Sequence, residues 1–517
     1  MHLGPLQKLR LQYRPAIPSW FSDLSKVHLK ELSGEKIHAS LISPLFPKTF
    51  SQMPHGLAKR EPQKSILLKV GVIFSGGQAA GGHNVIAGLY DALSQINRHS
   101  ELIGFLDGPL GIVENRRKIL GKDAIAAYRN QGGFDLIGSG RTKIETKEQF
   151  ESALQNTKDL DGLVIIGGDD SNTNAALLAE FFAAHGSKTK VIGVPKTIDG
   201  DLRSDDIEMS FGFDSACKTY AELIGNIAKD AISSKKYYHF IKLMGRSASH
   251  ITLECALQTQ PNLALIAEEK KTLKQIVDEI VSLIQKRKTA GKEYGVILIP
   301  EGLIEFMPEM KVLIAELNEL LAKGEPLSKL SAESSAVFQD LPEKIQKQLT
   351  LQRDSHGNVQ VSLIETELLL MEKVKAKYPK LQAVAHFLGY EGRSCLPTNF
   401  DATYCYSLGL FSALCIRDQL NGFILSVQNL RSPVDCWHFK AVPITRMIHF
   451  ELRQGKQKPV IQKTLVDIKG SSFIEYFGKR RSWEIEDQYI SPGPIQFFGD
   501  PALTDTVPVT LCQSSEN

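Results

Sequence analysis

Two short acidic clusters stand out in this sequence because each follows an apolar segment of strand length. Asp169 and Asp170 come first, and Asp199 and Asp201 follow in a loop that also contains Lys196. Carboxylate oxygens suit Mg²⁺, which usually binds one or two carboxylates together with phosphates. A carboxylate can also take a proton from a hydroxyl, and cations stabilise a moving phosphoryl group. The clusters therefore contain what phosphoryl transfer to a hydroxyl needs, although helix caps and a solvated loop are the alternative interpretation.

A glycine-rich turn, Ser75-Gly76-Gly77, precedes both clusters. Glycine lets backbone amides approach an anion, and the amino end of a following helix adds partial positive charge. A tight structural turn would have the same composition. The sequence lacks GxxxxGK[ST], and it lacks GxGxxG followed by a ribose-binding acid, so the pattern indicates neither a P-loop nor a dinucleotide site.

Three further motifs follow apolar segments and suit recognition of a sugar phosphate. They are Met244-Gly245-Arg246, Pro300-Glu301-Gly302 and Tyr390-Glu391-Gly392-Arg393. Arginine binds phosphate in a bidentate manner, and Glu301 suits hydrogen bonds to sugar hydroxyls. Any one of these motifs would more often be a surface charge, but several at strand ends in one chain favour a binding site.

Buried strands and intervening helices must position these side chains. The apolar pattern predicts helices near 84–96 and 172–184, and strands at 66–74, 163–168, 191–194, 240–243, 263–267 and 296–299. Strands that alternate with helix-length segments indicate a doubly wound α/β architecture. Ligands of such sheets bind beyond the carboxyl ends of the strands, which is where the glycine and acidic clusters lie.

The sequence divides into five predicted segments. Residues 1–65 are an extension that wraps over a core, and residues 66–235 form the first α/β domain. The second α/β domain comprises 236–305 and 379–430, and it is interrupted by a helical insertion at 306–378, which is rich in Leu, Glu and Lys. Residues 431–517 are closing elements with an irregular tail.

Composition narrows the class of protein. The 517 residues carry a formal charge of +3, with 42% hydrophobic and 23% charged residues, so neither nucleic acid nor a membrane surface is an expected partner. Apolar runs are far shorter than the ~20 residues of a membrane span. The seven cysteines include no CxxC pair, and the amino terminus does not resemble a signal peptide, so we expect reduced thiols and a cytoplasmic location.

Taken together, these motifs resemble the phosphofructokinase family, and specifically its long pyrophosphate-dependent branch. The resemblance runs from Val70 to Gly409. Its ordered blocks are SGGQAAGGHNVI, GGDDSNTNAALLAE, PKTIDGDL, SFGFDSACKTY, KKYYHFIKLMGRSASHITLECALQTQPN, GVILIPEGLI and GYEGRSCLPTNFDATYCYSLG. The resemblance implies two Rossmann-like phosphofructokinase domains, the first for pyrophosphate and Mg²⁺ and the second for fructose 6-phosphate.

The resemblance also implies roles for individual residues. Gly76 and Gly77 would contact pyrophosphate, Asp169 would bind Mg²⁺, and Asp199 would take the proton from the 1-hydroxyl of fructose 6-phosphate. The residues implied in binding the sugar phosphate are Thr197, Ile198, Asp199, Asp201, Met244, Gly245, Arg246, Glu301, Tyr390, Glu391, Gly392 and Arg393. Lys236 and Tyr237 would reach this substrate from a neighbouring subunit, which implies a homo-oligomer that is at least a dimer.

Asp170 and Lys196 bear on the choice of phosphoryl donor. The ATP-using branch typically has glycine at both positions. A carboxylate at 170 takes the space and charge of the α-phosphate of ATP, and a lysine at 196 can stabilise pyrophosphate in the transition state. The chain departs from its branch at Ala80, where proline is common, and we expect little effect because no chemical group is lost.

Three alternatives compete with pyrophosphate-dependent transfer. An ATP-dependent phosphofructokinase is disfavoured by Asp170 and Lys196. A more distant kinase with the same glycine–aspartate turn, such as an NAD kinase, is disfavoured by the sugar-phosphate motifs. A non-catalytic regulatory subunit of the same fold should have lost groups from the metal and base loops, and here Asp169, Asp199 and Arg246 are all present.

Overall fold

The computed structural model describes residues 3–33, 42–351, 359–453 and 456–513. The chain divides into two units, each assembled from separate stretches. Unit one comprises Met1–Ala216, Gly392–Thr464 and Gln496–Val507. Unit two comprises Cys217–Glu391, Leu465–Ile495 and Pro508–Asn517.

The strands are numbered in chain order. They are β1 (Val27–Glu31), β2 (His55–Lys59), β3 (Lys69–Phe74), β4 (Glu101–Phe105), β5 (Arg117–Ile119), β6 (Gly162–Gly167), β7 (Lys190–Pro195), β8 (Tyr238–Leu243), β9 (Leu263–Ala264), β10 (Gly295–Pro300), β11 (Ala383–Leu388), β12 (Phe423–Gln428), β13 (His438–Pro443), β14 (Ile448–Arg453) and β15 (Lys456–Ile461).

The α-helices follow the same convention. They are α1 (Pro5–Arg10), α2 (Gly82–Ile96), α3 (Pro109–Val113), α4 (Lys122–Ala126), α5 (Lys147–Thr157), α6 (Asp169–Ala184), α7 (Phe213–Ser234), α8 (His250–Thr259), α9 (Leu273–Thr289), α10 (Leu303–Phe306), α11 (Pro308–Ala322), α12 (Ala332–Asp340), α13 (Glu343–Leu351), α14 (Thr366–Lys377), α15 (Tyr390–Arg393), α16 (Asn399–Arg417), α17 (Ser471–Ile485), α18 (Pro501–Thr504) and α19 (Val509–Cys512). Among the described helices, none combines the length and apolarity that crossing a membrane requires.

Unit one is built on a sheet whose described strands lie in the order β1-β2-β13-β12-β7-β6-β3-β4-β5. The central strands β12, β7, β6, β3 and β4 are parallel. Strand β6 is buried along its whole length, as the continuous apolar run predicts for a parallel strand covered on both faces. From β3 the chain adds β4 on one side and then returns to add β6 on the other, so the order reverses between β3 and β6. In doubly wound sheets such a reversal opens a ligand crevice.

The edge of this sheet contains two strands that the sequence pattern does not indicate. Within residues 1–65, β1 and β2 pair with each other, and β2 pairs with β13. The extension therefore continues the sheet of unit one instead of only wrapping over a core. Arg10 secures its start because the buried guanidinium donates to Asn399 Oδ1 and to the Pro397 carbonyl, both at 2.9 Å.

Unit two contains a parallel sheet in the order β11-β8-β10-β9 within the described residues. Strand β9 is shorter than the predicted strand 263–267, because the chain turns into a 3-10 helix at Ala267–Glu269. Helices α11 to α14 lie between β10 and β11 in the sequence, and their apolar side chains share one core with the sheet, as Leu313, Ile345 and Leu369 illustrate. The helical insertion is thus packed into unit two.

The unit boundaries differ from the predicted domain boundaries at 235 and 430. Unit two starts at Cys217, inside the first turns of α7, and residues 392–430 belong to unit one. Their place there has a clear structural cause, because β12 pairs with β7 and α16 packs against α2. No change of composition in the sequence marks the points at 216–217 and 391–392 where the chain passes from one unit to the other.

Helices α2 and α16 approach each other unusually closely. A Cβ placed at Gly88 would lie 2.1 Å from the Tyr406 carbonyl oxygen, and one at Gly409 would lie 2.2 Å from the Val85 carbonyl oxygen. Neither helix could accept a side chain at these positions without moving apart. The two glycines therefore set the distance between α2, which follows the first glycine turn, and α16.

We predict that Gly88→Ala destabilises the protein, because the added methyl group overpacks this contact at a cost of about 1–3 kcal/mol. Thermal unfolding should detect a fall in Tm of several degrees. Gly478→Ala is the matched control, since Gly478 also lies within a helix but a Cβ there meets no atom within 4 Å. Equal Tm values for the two variants would show that the α2–α16 contact tolerates a side chain.

Candidate active site

The first glycine turn follows β3 in unit one and is fixed by its neighbours. Gly76 has a φ of +86°, which favours glycine, and its N–H donates to the Gly140 carbonyl at 2.9 Å. A Cβ at Gly76 would lie 3.3 Å from Lys196 Nζ, and one at Gly77 would lie 2.1 Å from an Arg393 guanidinium nitrogen. The turn therefore brings bare backbone next to two cations, which is the environment an anion requires.

The acids Asp169 and Asp170 lie in the first turn of α6, which begins at Asp169 after the N-cap residue Gly168. The prediction that the helix begins at Asn172 was wrong by three residues, because the Asn172 side chain donates back to the Gly167 and Gly168 carbonyls at 2.7 and 2.9 Å and secures an earlier start. The amino end of the helix stabilises both carboxylates.

The loop after β7 carries the lysine and the proposed base. Lys196 is only 5% exposed, and burial, reinforced by the nearby Arg393 guanidinium, lowers the pKa of its ammonium to about 8. Asp199 and Asp169 oppose this shift. Thr197 orders the loop, because its Oγ1 accepts from the Asp199 N–H at 3.1 Å. Ile198 is buried beneath the loop.

Asp201 completes the acidic group of unit one and faces a lysine that the sequence reasoning missed. Burial raises the pKa of the Asp201 carboxyl to about 7, Asp199 adds to the rise, and Lys463 counteracts it. Lys463 Nζ lies 3.8 Å from Asp169 Oδ2 and 3.8 Å from Asp201 Oδ2. The sequence gives no sign of this contact because Lys463 belongs to the closing segment, outside every recognised motif.

Two more basic residues near the donor motifs were not singled out from the sequence. Lys143 Nζ lies 3.1 Å from Asp170 Oδ1, and Arg141 is close enough to lower the pKa of Lys196. Both come shortly after Gly140, whose carbonyl accepts a hydrogen bond from the Gly76 N–H. The only signal in the sequence is that Arg141 and Lys143 are two basic residues close together. The glycine turn thus lies among several cations.

The acidic group suits Mg²⁺ in the presence of phosphates. Within residues 3–33, 42–351, 359–453 and 456–513, no set of three or more His, Cys, Asp or Glu side chains could hold a metal by itself. Magnesium usually takes only one or two carboxylates and completes its shell with phosphate and water. Asp169 and Asp201 place two carboxylates around one cation, Lys463, so the donor set fits a phosphate-bound magnesium ion.

The sugar-phosphate motifs of unit two meet at the carboxyl ends of β8, β10 and β11. Glu301 is 3% exposed, and its Oε2 accepts from the Gly245 N–H at 3.0 Å. Met244 joins β11 through a bond from its N–H to the Leu388 carbonyl at 2.9 Å. Arg246 is exposed, and its carbonyl would lie 1.9 Å from a Cβ at Gly302, so glycine is required there.

The motif of residues 390–393 is divided between the units. Tyr390, 66% exposed, and Glu391 belong to unit two, where Glu391 Oε2 accepts from the Gly389 N–H at 2.9 Å. Gly392 and Arg393 belong to unit one, where Arg393 donates to Gln78 Oε1 at 3.0 Å. The sequence suggests one contiguous binding motif, whereas the unit boundary falls within α15, between Glu391 and Gly392.

Lys236 and Tyr237 do not join the sugar-phosphate set within unit two. They precede β8, whereas Arg246 follows it, so the length of the strand separates them. Lys235 and Tyr237 have φ values of +53° and +67°, uncommon for residues with side chains. Tyr237 is 41% exposed. This strained turn presents Lys236 and Tyr237 to the outside of the unit.

Comparison with known proteins agrees with these features. A family model described as phosphofructokinase matches residues 69–416. The chain is 52% identical to a pyrophosphate–fructose 6-phosphate 1-phosphotransferase of Treponema pallidum, covering 99% of this chain and 97% of the relative. It is 49% identical to subunit beta 2 of the enzyme with that name from Arabidopsis thaliana, covering 96% and 91%.

The fold agrees as well. A pyrophosphate-dependent phosphofructokinase structure from Marinobacter aquaeolei superposes with a TM-score of 0.56 at 15% identity, covering 82% of this chain and 93% of that one. The extensive family match and the near-complete relatives confirm the resemblance and the α/β fold predicted from the sequence motifs. The chain belongs to the phosphofructokinase family.

Proposed function

We propose that this chain is an enzyme that transfers a phosphoryl group reversibly between pyrophosphate and the 1-hydroxyl of fructose 6-phosphate, yielding fructose 1,6-bisphosphate and phosphate. The observation that carries the proposal is the position of Lys196, whose buried ammonium lies against the Gly76 turn. A cation fixed beside a bare backbone turn suits a small, highly charged donor. The names of the Treponema pallidum and Arabidopsis thaliana relatives support the same activity.

Asp170 favours pyrophosphate over ATP. Its carboxylate lies in the first turn of α6, and Lys143 holds it at 3.1 Å. A nucleotide donor would have to bring its α-phosphate to a place already occupied by negative charge, whereas pyrophosphate has no such group. An ATP-dependent phosphofructokinase is therefore the weaker alternative.

In the proposed reaction, Asp199 takes the proton of the 1-hydroxyl of the sugar. The hydroxyl oxygen forms a bond to the terminal phosphorus of pyrophosphate, the bond from that phosphorus to the bridging oxygen breaks, and phosphate leaves. Lys196 offsets the charge that develops on the departing group, while the backbone of Gly76 and Gly77 orients the donor. Mg²⁺ held by Asp169, with Asp201 beside it, supplies further positive charge to the pyrophosphate oxygens when bound.

We assign recognition of fructose 6-phosphate to residues of unit two and to residues of unit one. In unit two, Arg246 suits the phosphate and Glu301 suits the sugar hydroxyls, with Tyr390 exposed for contact. The remaining residues proposed to contact the sugar phosphate are Thr197, Ile198, Asp199, Asp201, Met244, Gly245, Glu391, Gly392 and Arg393.

The position of Lys236 and Tyr237 supports a shared site in a homo-oligomer that is at least a dimer. Two residues with positive φ in three positions cost about 1–3 kcal/mol each, and such strain is typically kept where function requires it. A turn held outward in this way can place a lysine on the phosphate bound by another copy of the chain.

The second candidate function is a non-catalytic regulatory subunit. It is disfavoured because Asp199, Lys196 and Asp169, to which we assign the roles of base, donor-stabilising cation and metal ligand, are all present, and their proximity in unit one supports catalysis. The proposal also includes a cytoplasmic location, supported by seven cysteines that form no disulfide, of which Cys217, Cys255, Cys405 and Cys415 are buried.

Asp199→Asn should lower kcat by at least ~100-fold, because the amide keeps the size of the side chain but cannot accept a proton. The KM for fructose 6-phosphate should change far less. Asp205→Asn is the control, since Asp205 is an exposed acid in the following loop. Steady-state kinetics with pyrophosphate and Mg²⁺ checks the prediction, and a kcat within tenfold of the parent value would reject Asp199 as the base.

Subunit exchange tests the shared site. An Asp199→Asn protein and a Lys236→Ala/Tyr237→Ala protein, each inactive, should regain activity when mixed under exchange conditions. Random pairing of two-fold dimers makes about half of them mixed, each with one intact site, so roughly a quarter of the parental sites should work.

Each variant exchanged only with itself serves as the control for this recovery. Mass spectrometry of differently tagged subunits verifies that mixed dimers form. Mixed dimers without activity would place Lys236 and Tyr237 outside the site.

A further inference from the structure

Lys463 contributes a further cation to the acidic group of unit one, from a segment that no recognised motif covers. Its ammonium is 3.8 Å from both Asp169 Oδ2 and Asp201 Oδ2, an ion-pair separation longer than a hydrogen bond. These carboxylates belong to two different segments, the first turn of α6 and the loop after β7. Lys463 therefore lies where these two segments converge.

The backbone around Lys463 is fixed to the same two segments, α6 and the loop after β7. On one side, the Ile461 N–H donates to Thr173 Oγ1 in α6 at 3.1 Å. On the other, the Thr464 N–H donates to the Asp201 carbonyl at 2.8 Å, and Thr464 Oγ1 donates to the Arg203 carbonyl at 2.7 Å. A segment bound on both sides of one lysine holds the Cα of that lysine in a defined place.

The ammonium of Lys463 differs from that of Lys196 in its access to solvent. The Lys463 side chain is 28% exposed, whereas Lys196 is 5% exposed as a residue. A lysine stem is flexible, and its ammonium can move among nearby anions while the backbone stays fixed. A ligand entering from solvent can therefore meet Lys463 without any loop moving.

We propose that Lys463 is a further pyrophosphate-binding residue, which bridges Asp169 and Asp201 before the donor binds and then donates to an oxygen of the bound pyrophosphate. The inference rests on the proposed placement of pyrophosphate beside Gly76. It assigns to the closing segment a direct part in holding the donor. The contrasting possibility is that Lys463 only offsets the charge of the two acids.

Lys463→Met removes the charge and keeps the length of the side chain. Lys458→Met is the matched control, because Lys458 lies on β15 in the same segment and pairs with a different acid, Glu145, at 4.0 Å. For both full-length variants, Tm is measured with Mg²⁺ alone and with Mg²⁺ plus pyrophosphate, without the sugar phosphate. Steady-state kinetics gives KM for pyrophosphate and for fructose 6-phosphate.

The expected result for Lys463→Met is loss of most of the pyrophosphate-induced rise in Tm and at least a tenfold increase in KM for pyrophosphate, with KM for fructose 6-phosphate within about twofold. Lys458→Met should behave like the parent. Lys463→Arg, which restores a cation, should recover part of the Tm rise. Thr464→Val, which removes the bond to Arg203, should show a weaker form of the same defect.

Two outcomes would overturn the inference. In one, Lys463→Met keeps both the parental KM for pyrophosphate and the parental Tm rise. In the other, the variant binds Mg²⁺ more tightly by titration calorimetry while its KM for pyrophosphate is unchanged, so that Lys463 serves only as a counter-ion. A parent protein whose Tm does not respond to Mg²⁺ and pyrophosphate would instead reject the proposed donor site itself.

Discussion

The site of unit one depends on a buried ammonium, that of Lys196. Removing a charge from water is costly unless other charges compensate, and here burial lowers the lysine pKa to about 8 while Asp199 and Asp169 oppose the shift. The same lysine lies against the bare backbone of Gly76. The glycine turn, the acids at the start of α6 and the loop after β7 are therefore mutually dependent, since each provides part of the environment in which the cation is stable.

The sheet topology explains why these parts meet. The chain adds β4 on one side of β3 and then returns to add β6 and β7 on the other, so the loops after β3 and β6 flank the reversal. Parallel strands deliver all these loops to the same edge. Glycine is needed where Lys196 and Arg393 approach the turn, and a side chain at Gly77 would collide with the guanidinium. The strand order thus creates the crevice, and the absence of a side chain at the glycines leaves space in it for Lys196 and Arg393.

The local sequence was sufficient to predict the buried strands and the chemical character of the loops that follow them. The buried strand β6 could be predicted because parallel strands require continuous apolar residues, and the loops after it could be assigned chemistry from their residue types. The start of α6 was missed because a side-chain bond from Asn172 decides it. Strands β1 and β2 were missed because both are short and of mixed polarity, which leaves little periodic pattern. Lys463 could not be found at all, since its contact joins positions far apart in the chain.

We propose that the Asp170 carboxylate, in the first turn of α6, commits the protein to pyrophosphate. The most direct test is kcat/KM for pyrophosphate and for ATP, measured with fructose 6-phosphate and Mg²⁺ on the parent protein and on Asp170→Gly. We expect turnover with pyrophosphate and none with ATP for the parent, and detectable ATP use once the carboxylate is removed. A parent protein that uses ATP, or an Asp170→Gly protein that excludes ATP as completely as the parent does, would contradict it.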